Sequence, residues 1–274
     1  MRPELVKIGP LTVYSYGFML GLAFLAGSLL AAKEADRKGL DREHFFDFLL
    51  VTLVVAVVVS RLFYVAFQLG EYLAAPATIL NIRDGGLAVH GGLLGGVLTA
   101  LWFARREKTS FWRLADTLSP SLALGIGIAR WGCLLAGCCY GVLCTLPWAV
   151  ETRFAPGWRH PTQVYESVLD LAVFGFLWWY RTRRKHDGQV FLAFLGLYSV
   201  VRFGVEFYRE VDLRIGAFTA AQVGSVALAL VALWAWAWMQ RRPAVGAYQA
   251  ELSCAPPDLP EQTGPPTSSS GPPA

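Results

Sequence analysis

Tyr198, Arg202, Glu206 and Arg209 recur every three or four residues in a mostly apolar stretch, which places them along one helical face. An ionisable group inside a membrane costs about 2.5–3.5 kcal/mol on insertion scales and usually faces a bundle interior or a watery cavity. The stripe therefore has two readings. Arg202 and Glu206 form an ion pair that satisfies itself, or the face is one wall of an anion-binding site. Arg130, within Gly125-Ile-Gly-Ile-Ala-Arg-Trp-Gly, needs an anion of its own, either a carboxylate or a lipid phosphate. Guanidinium meets phosphate oxygens through a planar, bidentate fork. Arg61 is the third arginine lying in or at the end of an apolar stretch.

His90 stands in Gly85-Gly-Leu-Ala-Val-His-Gly-Gly-Leu-Leu-Gly-Gly. The pairs Gly91/Gly95 and Gly92/Gly96 have the spacing that lets helices approach closely, and no phosphate-loop pattern is present. Imidazole is the natural proton acceptor near neutral pH, so His90 is either a base or a hydrogen-bonded packing residue. Cys133, Cys138, Cys139 and Cys144 cluster with a C-x4-C-C-x4-C spacing that fits neither zinc-ribbon nor ferredoxin patterns. Apolar packing, a disulfide and a metal site all stay open for them. His160, Gln163, Tyr165 and Glu166, in Trp158-Arg-His-Pro-Thr-Gln-Val-Tyr-Glu, form a polar collar or anchor a helix at the interface. Gln222 carries the same ambiguity.

These residues need elements to hold them, and composition says which. The chain has 274 residues, 55% hydrophobic and 16% charged, with a mean hydropathy of +0.43. Soluble domains carry about 25% charged residues, so the expected class is an all-α integral membrane protein. The net charge of +4 is too small to suggest nucleic-acid binding. Seven stretches approach the length of about 20 residues that crosses a bilayer: 14–32, 45–67, 87–104, 114–135, 164–180, 190–207 and 218–239. One set of connecting loops, with Lys33, Arg37, Lys38, Arg105, Arg106, Arg113, Arg181 and Arg184 among its members, holds twice as many Lys and Arg as the other. The positive-inside rule then puts the N-terminus outside and the C-terminus in the cytoplasm. Arg130, Arg202 and His90 fall toward outer ends of their spans. Residues 1–241 form the membrane domain, whereas 242–274 hold more than half of the 15 prolines and read as a disordered cytoplasmic tail.

Taken in order along the chain, the motifs resemble the prolipoprotein diacylglyceryl transferase family. They are Gly85-Gly-Leu-Ala-Val-His-Gly-Gly-Leu-Leu-Gly, Arg130-Trp-Gly-Cys-Leu-Leu-Ala-Gly-Cys-Cys-Tyr-Gly141, His160-Pro-Thr-Gln-Val-Tyr-Glu and Tyr198-x3-Arg-x3-Glu-Phe-x-Arg. Tyr16, Arg61, Asp116 and Gln222 also fall where the family has such residues. The resemblance implies a multi-pass enzyme of the bacterial inner membrane that moves diacylglyceryl from phosphatidylglycerol to the lipobox cysteine of preprolipoproteins. It implies no metal and no cofactor. By the same resemblance, His90, Arg130, Arg202, Tyr198 and Glu206 are catalytic, with His90 matching the leading candidate for thiol activation. Arg130, Arg202, Tyr16, Arg61, Gly141, His160, Gln163 and Gln222 meet substrate. The commoner signature Arg-x-Gly-Asn-x3-Gly-Glu-x2-Gly has Asn and Glu where this chain has Cys133 and Cys138, so no role of that pair passes to the cysteines. The competing classes are an anion or lipid transporter using the same arginines and a non-catalytic scaffold.

Overall fold

The computed structural model describes residues 4–8, 11–74, 76–80, 85–211 and 214–241. A short hairpin of β1 (Glu4–Ile8) and β2 (Leu11–Tyr14) leads into α1 (Ser15–Arg37). Then follow α2 (Arg42–Phe67), a short α3 (Leu69–Ala74) with a 3-10 turn (Pro76–Leu80), α4 (Val89–Arg106) and α5 (Phe111–Ala136). The ribbon of β3 (Val150–Glu151) and β4 (Trp158–Arg159) precedes α6 (Thr162–Tyr180) and α7 (Gln189–Glu206). A third ribbon, β5 (Arg214–Ile215) with β6 (Phe218–Thr219), opens α8 (Ala220–Met239).

Each apolar stretch coincides with one long helix, and local chemistry sets the ends. Asp41 caps α2 by accepting the His44 N–H at 2.9 Å, and Ser110 caps α5. Thr219 and Gln222 make a reciprocal capping box at the start of α8. Gly137, at φ 84°, ends α5 in the left-handed region that a Cβ would disfavour. Pro120 sits inside α5 without ending it. The three ribbons are a feature that hydropathy did not anticipate.

Five of the long helices, α1, α2, α5, α7 and α8, are long and apolar enough to cross a membrane. The other two are diluted by residues already singled out: His90 and four glycines with Arg105 and Arg106 in α4, and Gln163, Glu166 and Asp170 in α6. The outward faces of the helices are apolar, with Leu29, Val54, Leu93, Val200 and Leu233 exposed. That pattern suits a lipid solvent.

Packing joins the helices through three apolar cores. Ala31, Ala35, Phe45, Phe48, Phe103 and Leu114 join α1, α2, α4 and α5 in one core, at the end formed by the close of α1 and the start of α5. A second core, including Ala123, Val173, Leu177 and Phe194, joins α5, α6 and α7, and a third joins α7 to α8. At the first end, polar side chains lock the helix termini. Buried Glu34 takes Arg181 at 2.7 Å, and Asp116 accepts the Gly188 and Phe191 N–H groups at the start of α7 while pairing with Arg184. An anion at a helix N-terminus is stabilised there by the exposed donors and the helix dipole. Burial pushes the Lys38 ammonium down to about 8, and the nearby Arg184 adds to that shift.

Candidate functional site

Arg130 lies 14 residues beyond Asp116 on α5, about 21 Å along the axis at 1.5 Å per residue. It is therefore near the opposite end of the bundle from the Glu34 and Asp116 locks. There it meets Glu166, one turn into α6, through an Nη2–Oε1 contact of 2.5 Å. Arg202 on α7 approaches the same Glu166 Oε1 at 3.6 Å and pairs with Glu206 Oε2 at 3.0 Å. Arg209 stands 3.9 Å from that Glu206 oxygen, and Thr219 donates to Oε1 at 3.0 Å. Two arginines from different helices thus converge on one carboxylate. The Arg202–Glu206 pair exists as well, as part of the larger network and not instead of it.

The network is not saturated. Among the described residues, the buried donors Arg202 Nη1 and Arg209 Nε make no hydrogen bond and stand only at ion-pair distance from Glu166 and Glu206, and the buried Asp170 Oδ2 accepts none. Asp170 is one turn below Glu166 on α6, and Tyr198 on α7 lies within electrostatic reach of Arg130, Glu166, Arg202 and Asp170. Desolvated donors left unspent are expensive unless a ligand uses them. Such an arrangement can receive an anionic group. Sequence reading placed Glu166 only in a collar and did not single out Asp170; the visible sign was an i, i+4 pair of acids in an otherwise apolar helix.

The remaining expected residues divide. Gly141 is wedged where a Cβ would run into the Tyr208 carbonyl and stand 2.7 Å from the His160 Cβ, so glycine is required for this close approach. Its N–H donates to the His160 carbonyl at 3.0 Å. His160 Nδ1 lies 3.3 Å from the Tyr165 hydroxyl, which accepts from the Trp148 indole at 2.8 Å. Gln163 donates to the Cys138 carbonyl at 2.6 Å, and its buried Oε1 has no hydrogen-bond partner among the described residues. Tyr16, in the first turn of α1, packs beside Gly132 near the Cys133, Cys138 and Cys139 thiols.

Three placements differ from a simple ring of ligands. Arg61 is buried and donates to the carbonyls of Thr78, Ile79, Gly85 and Gly86, with Tyr64 and Tyr72 against its guanidinium. Gln222 accepts the Thr219 N–H at 3.0 Å within the α8 cap. His90 is exposed in the first turn of α4, and no hydrogen bond or ion pair ties it to Arg130 or Arg202 among the described residues. Because α4 and α5 are joined at the other end by residues 107–110, His90 nevertheless starts its helix at the Arg130 end of the bundle. The described cysteines are free thiols; Cys254 and the rest of 242–274 lie outside the described residues.

A helical bundle with an apolar exterior and a buried arginine–carboxylate network at one end fits the class of all-α membrane proteins. Comparison with known proteins narrows this. The prolipoprotein diacylglyceryl transferase family matches over residues 3–238. Proteins named phosphatidylglycerol--prolipoprotein diacylglyceryl transferase from Bacillus cereus, Bacillus thuringiensis and Bacillus anthracis are each 37% identical over 238 residues, covering 83% of this chain and 88% of the relative. The chain belongs to the prolipoprotein diacylglyceryl transferase family.

Proposed function

We propose that this protein transfers the diacylglyceryl group of phosphatidylglycerol to the lipobox cysteine thiol of preprolipoproteins, as a multi-pass protein of the bacterial inner membrane. Family membership supports the reaction class. The observation that carries the site assignment is the convergence of Arg130 and Arg202 on Glu166. All seven long helices cross the bilayer in this reading, with the N-terminus outside, the C-terminus inside and the arginine network at the outer face. Residues 1–241 are the catalytic domain, and 242–274 form a tail.

The chemistry is a substitution at carbon. The acceptor thiol, with a reference pKa of about 8.5, gives its proton to neutral His90, directly or through water. The thiolate sulfur then bonds to the glyceryl carbon that carries the phosphate, and the carbon–oxygen bond breaks to release glycerol phosphate. Negative charge grows on the leaving phosphate, so Arg130 and Arg202 stabilise the transition state more than the ground state. Glu166 and Glu206 hold the two guanidinium groups in register, and Tyr198 supplies a hydrogen bond. Tyr16, Gly141, His160 and Gln163 shape the substrate's surroundings, while Arg61 and Gln222 act by fixing backbone at that end.

The test is lipid transfer to a lipobox peptide, read by mass, in membranes containing His90→Asn, Arg130→Ala or Arg202→Lys. Removing a single stabilising donor or a general base costs about a hundredfold or more in rate, and a loss of that size is expected for each. Wild-type transfer by all three variants overturns the assignment.

A further inference from the structure

The thiols of Cys133, Cys138 and Cys139 all lie within 4.8 Å of one another, although the sequence spacing of these residues fits no familiar metal motif. The fold explains the gathering. Cys133 projects from the last turns of α5, and the chain then reverses through Gly137 at φ 84° and Cys139 at φ 62°. The start of α6 pins the reversed segment: Gln163 donates to the Cys138 carbonyl at 2.6 Å and Thr162 to the Cys139 carbonyl at 2.7 Å. We infer that Cys133, Cys138 and Cys139 form a binding site for one thiophilic cation of the zinc class.

Three considerations carry this. Zinc–sulfur bonds of about 2.3 Å in a tetrahedron set sulfur atoms about 3.8 Å apart, so the three thiols need to close by only about 1 Å. Three thiolates around a divalent ion carry net charge −1, so the ion offsets most of the mutual repulsion that three close thiolates would otherwise meet. A disulfide uses the cluster less well. It leaves one thiol over, and adjacent residues such as Cys138 and Cys139, with Cα atoms about 3.8 Å apart, fall short of the usual disulfide span of about 4.4–6.8 Å. Loading the site exchanges three thiol protons for the ion and releases them to solvent. The protein supplies three donors, and the fourth position of a tetrahedral ion stays open. The site does not depend on the transferase reading, since its ligands are thiols that reading leaves unused.

The experiment uses the full-length protein, purified in detergent under reducing conditions and freed of metal. Titration with Co(II) is expected to give a sulfur-to-cobalt charge-transfer band that saturates at one ion per chain. Cys133→Ser, Cys138→Ser and Cys139→Ser should each weaken binding at least tenfold, and Cys144→Ser should leave it unchanged. Without any substitution, stoichiometric Zn(II) should shield three of the five cysteines from iodoacetamide, located by peptide mass. No charge-transfer band, binding that survives the Cys133/Cys138/Cys139 triple serine variant, or Zn(II) shielding at Cys144 and Cys254 instead of the cluster overturns the proposal.

Discussion

Glu166 turns two separately explicable arginines into one site. Arg130 and Arg202 were conspicuous in the sequence because charge within apolar stretches is costly. Their meeting point was not legible, because Glu166 is 36 residues from Arg130 and belongs to a different helix. No local periodicity links residues that only tertiary packing brings together. Arg61 shows the converse. It was equally conspicuous, yet its guanidinium is held by four backbone carbonyls, an arrangement that a chain reading cannot foresee. Removing one partner of a buried ion pair leaves an uncompensated charge and typically costs about 3–5 kcal/mol. Glu166→Gln keeps the side-chain shape while removing the charge that both guanidinium groups share. It should lower thermal stability in detergent and reduce diacylglyceryl transfer at least tenfold, whereas Glu151→Gln, on an exposed residue of the β3 ribbon, should change neither. Wild-type melting and transfer in Glu166→Gln would mean that the carboxylate does not hold the arginines.

At the level of elements, the spacing of glycines in α4 predicts close helix packing but offers two faces for it. Gly91/Gly95 and Gly92/Gly96 have the same sequence signature. Packing distinguishes them. A Cβ on Gly91 would stand 2.6 Å from the Val59 carbonyl and 2.7 Å from the Ser60 Cα, and one on Gly95 would meet the α2 backbone at 3.0 Å. Gly96 faces open space. One pair therefore seats α4 on α2 through close backbone approach. Of the other, a Cβ on Gly92 would be in ordinary contact with α2, 3.9 Å from the Ala56 carbonyl oxygen and Ser60 Oγ, and Gly96 lies away from the seam. The seam matters to the site because the Ala88 N–H donates to the Ser60 carbonyl, fixing the start of the helix that carries His90. Gly91→Leu should force α4 off α2, lowering the melting temperature by several degrees and reducing transfer. Gly96→Leu should leave both near wild type, as measured by thermal unfolding and lipid transfer on the same preparations. Equal tolerance at both positions would contradict the seam.

Across the whole molecule, hydropathy located the long helices because a bilayer demands long apolar runs and imposes few other constraints. The short ribbons escaped that reading, since strands of two to five residues leave little period to detect. Helices α4 and α6 are less apolar because glycines, His90, Arg105 and Arg106 dilute the one and Gln163, Glu166 and Asp170 the other. Charge asymmetry has a second physical role that the sequence count conceals. Several Lys and Arg residues assigned to the cytoplasmic loops are spent on tying helix ends together: Arg37 and Arg181 on Glu34, Arg184 on Asp116, Lys38 on Thr117. These locks all sit at the end of the bundle opposite to Arg130, so orientation and the site's location are one question. If the locked end is cytoplasmic, Arg130, Glu166 and Arg202 open toward the outer leaflet, where an acceptor cysteine exported through the membrane would arrive. Alkaline phosphatase, active only outside the cytoplasm, reads this directly. Fused after Arg153, in the segment between α5 and α6, it should be active. Fused after Lys108, between α4 and α5, or after Arg241, beyond α8, it should be inactive. The inverse pattern would place the arginine network on the cytoplasmic side and remove the topological basis for its access to exported substrate.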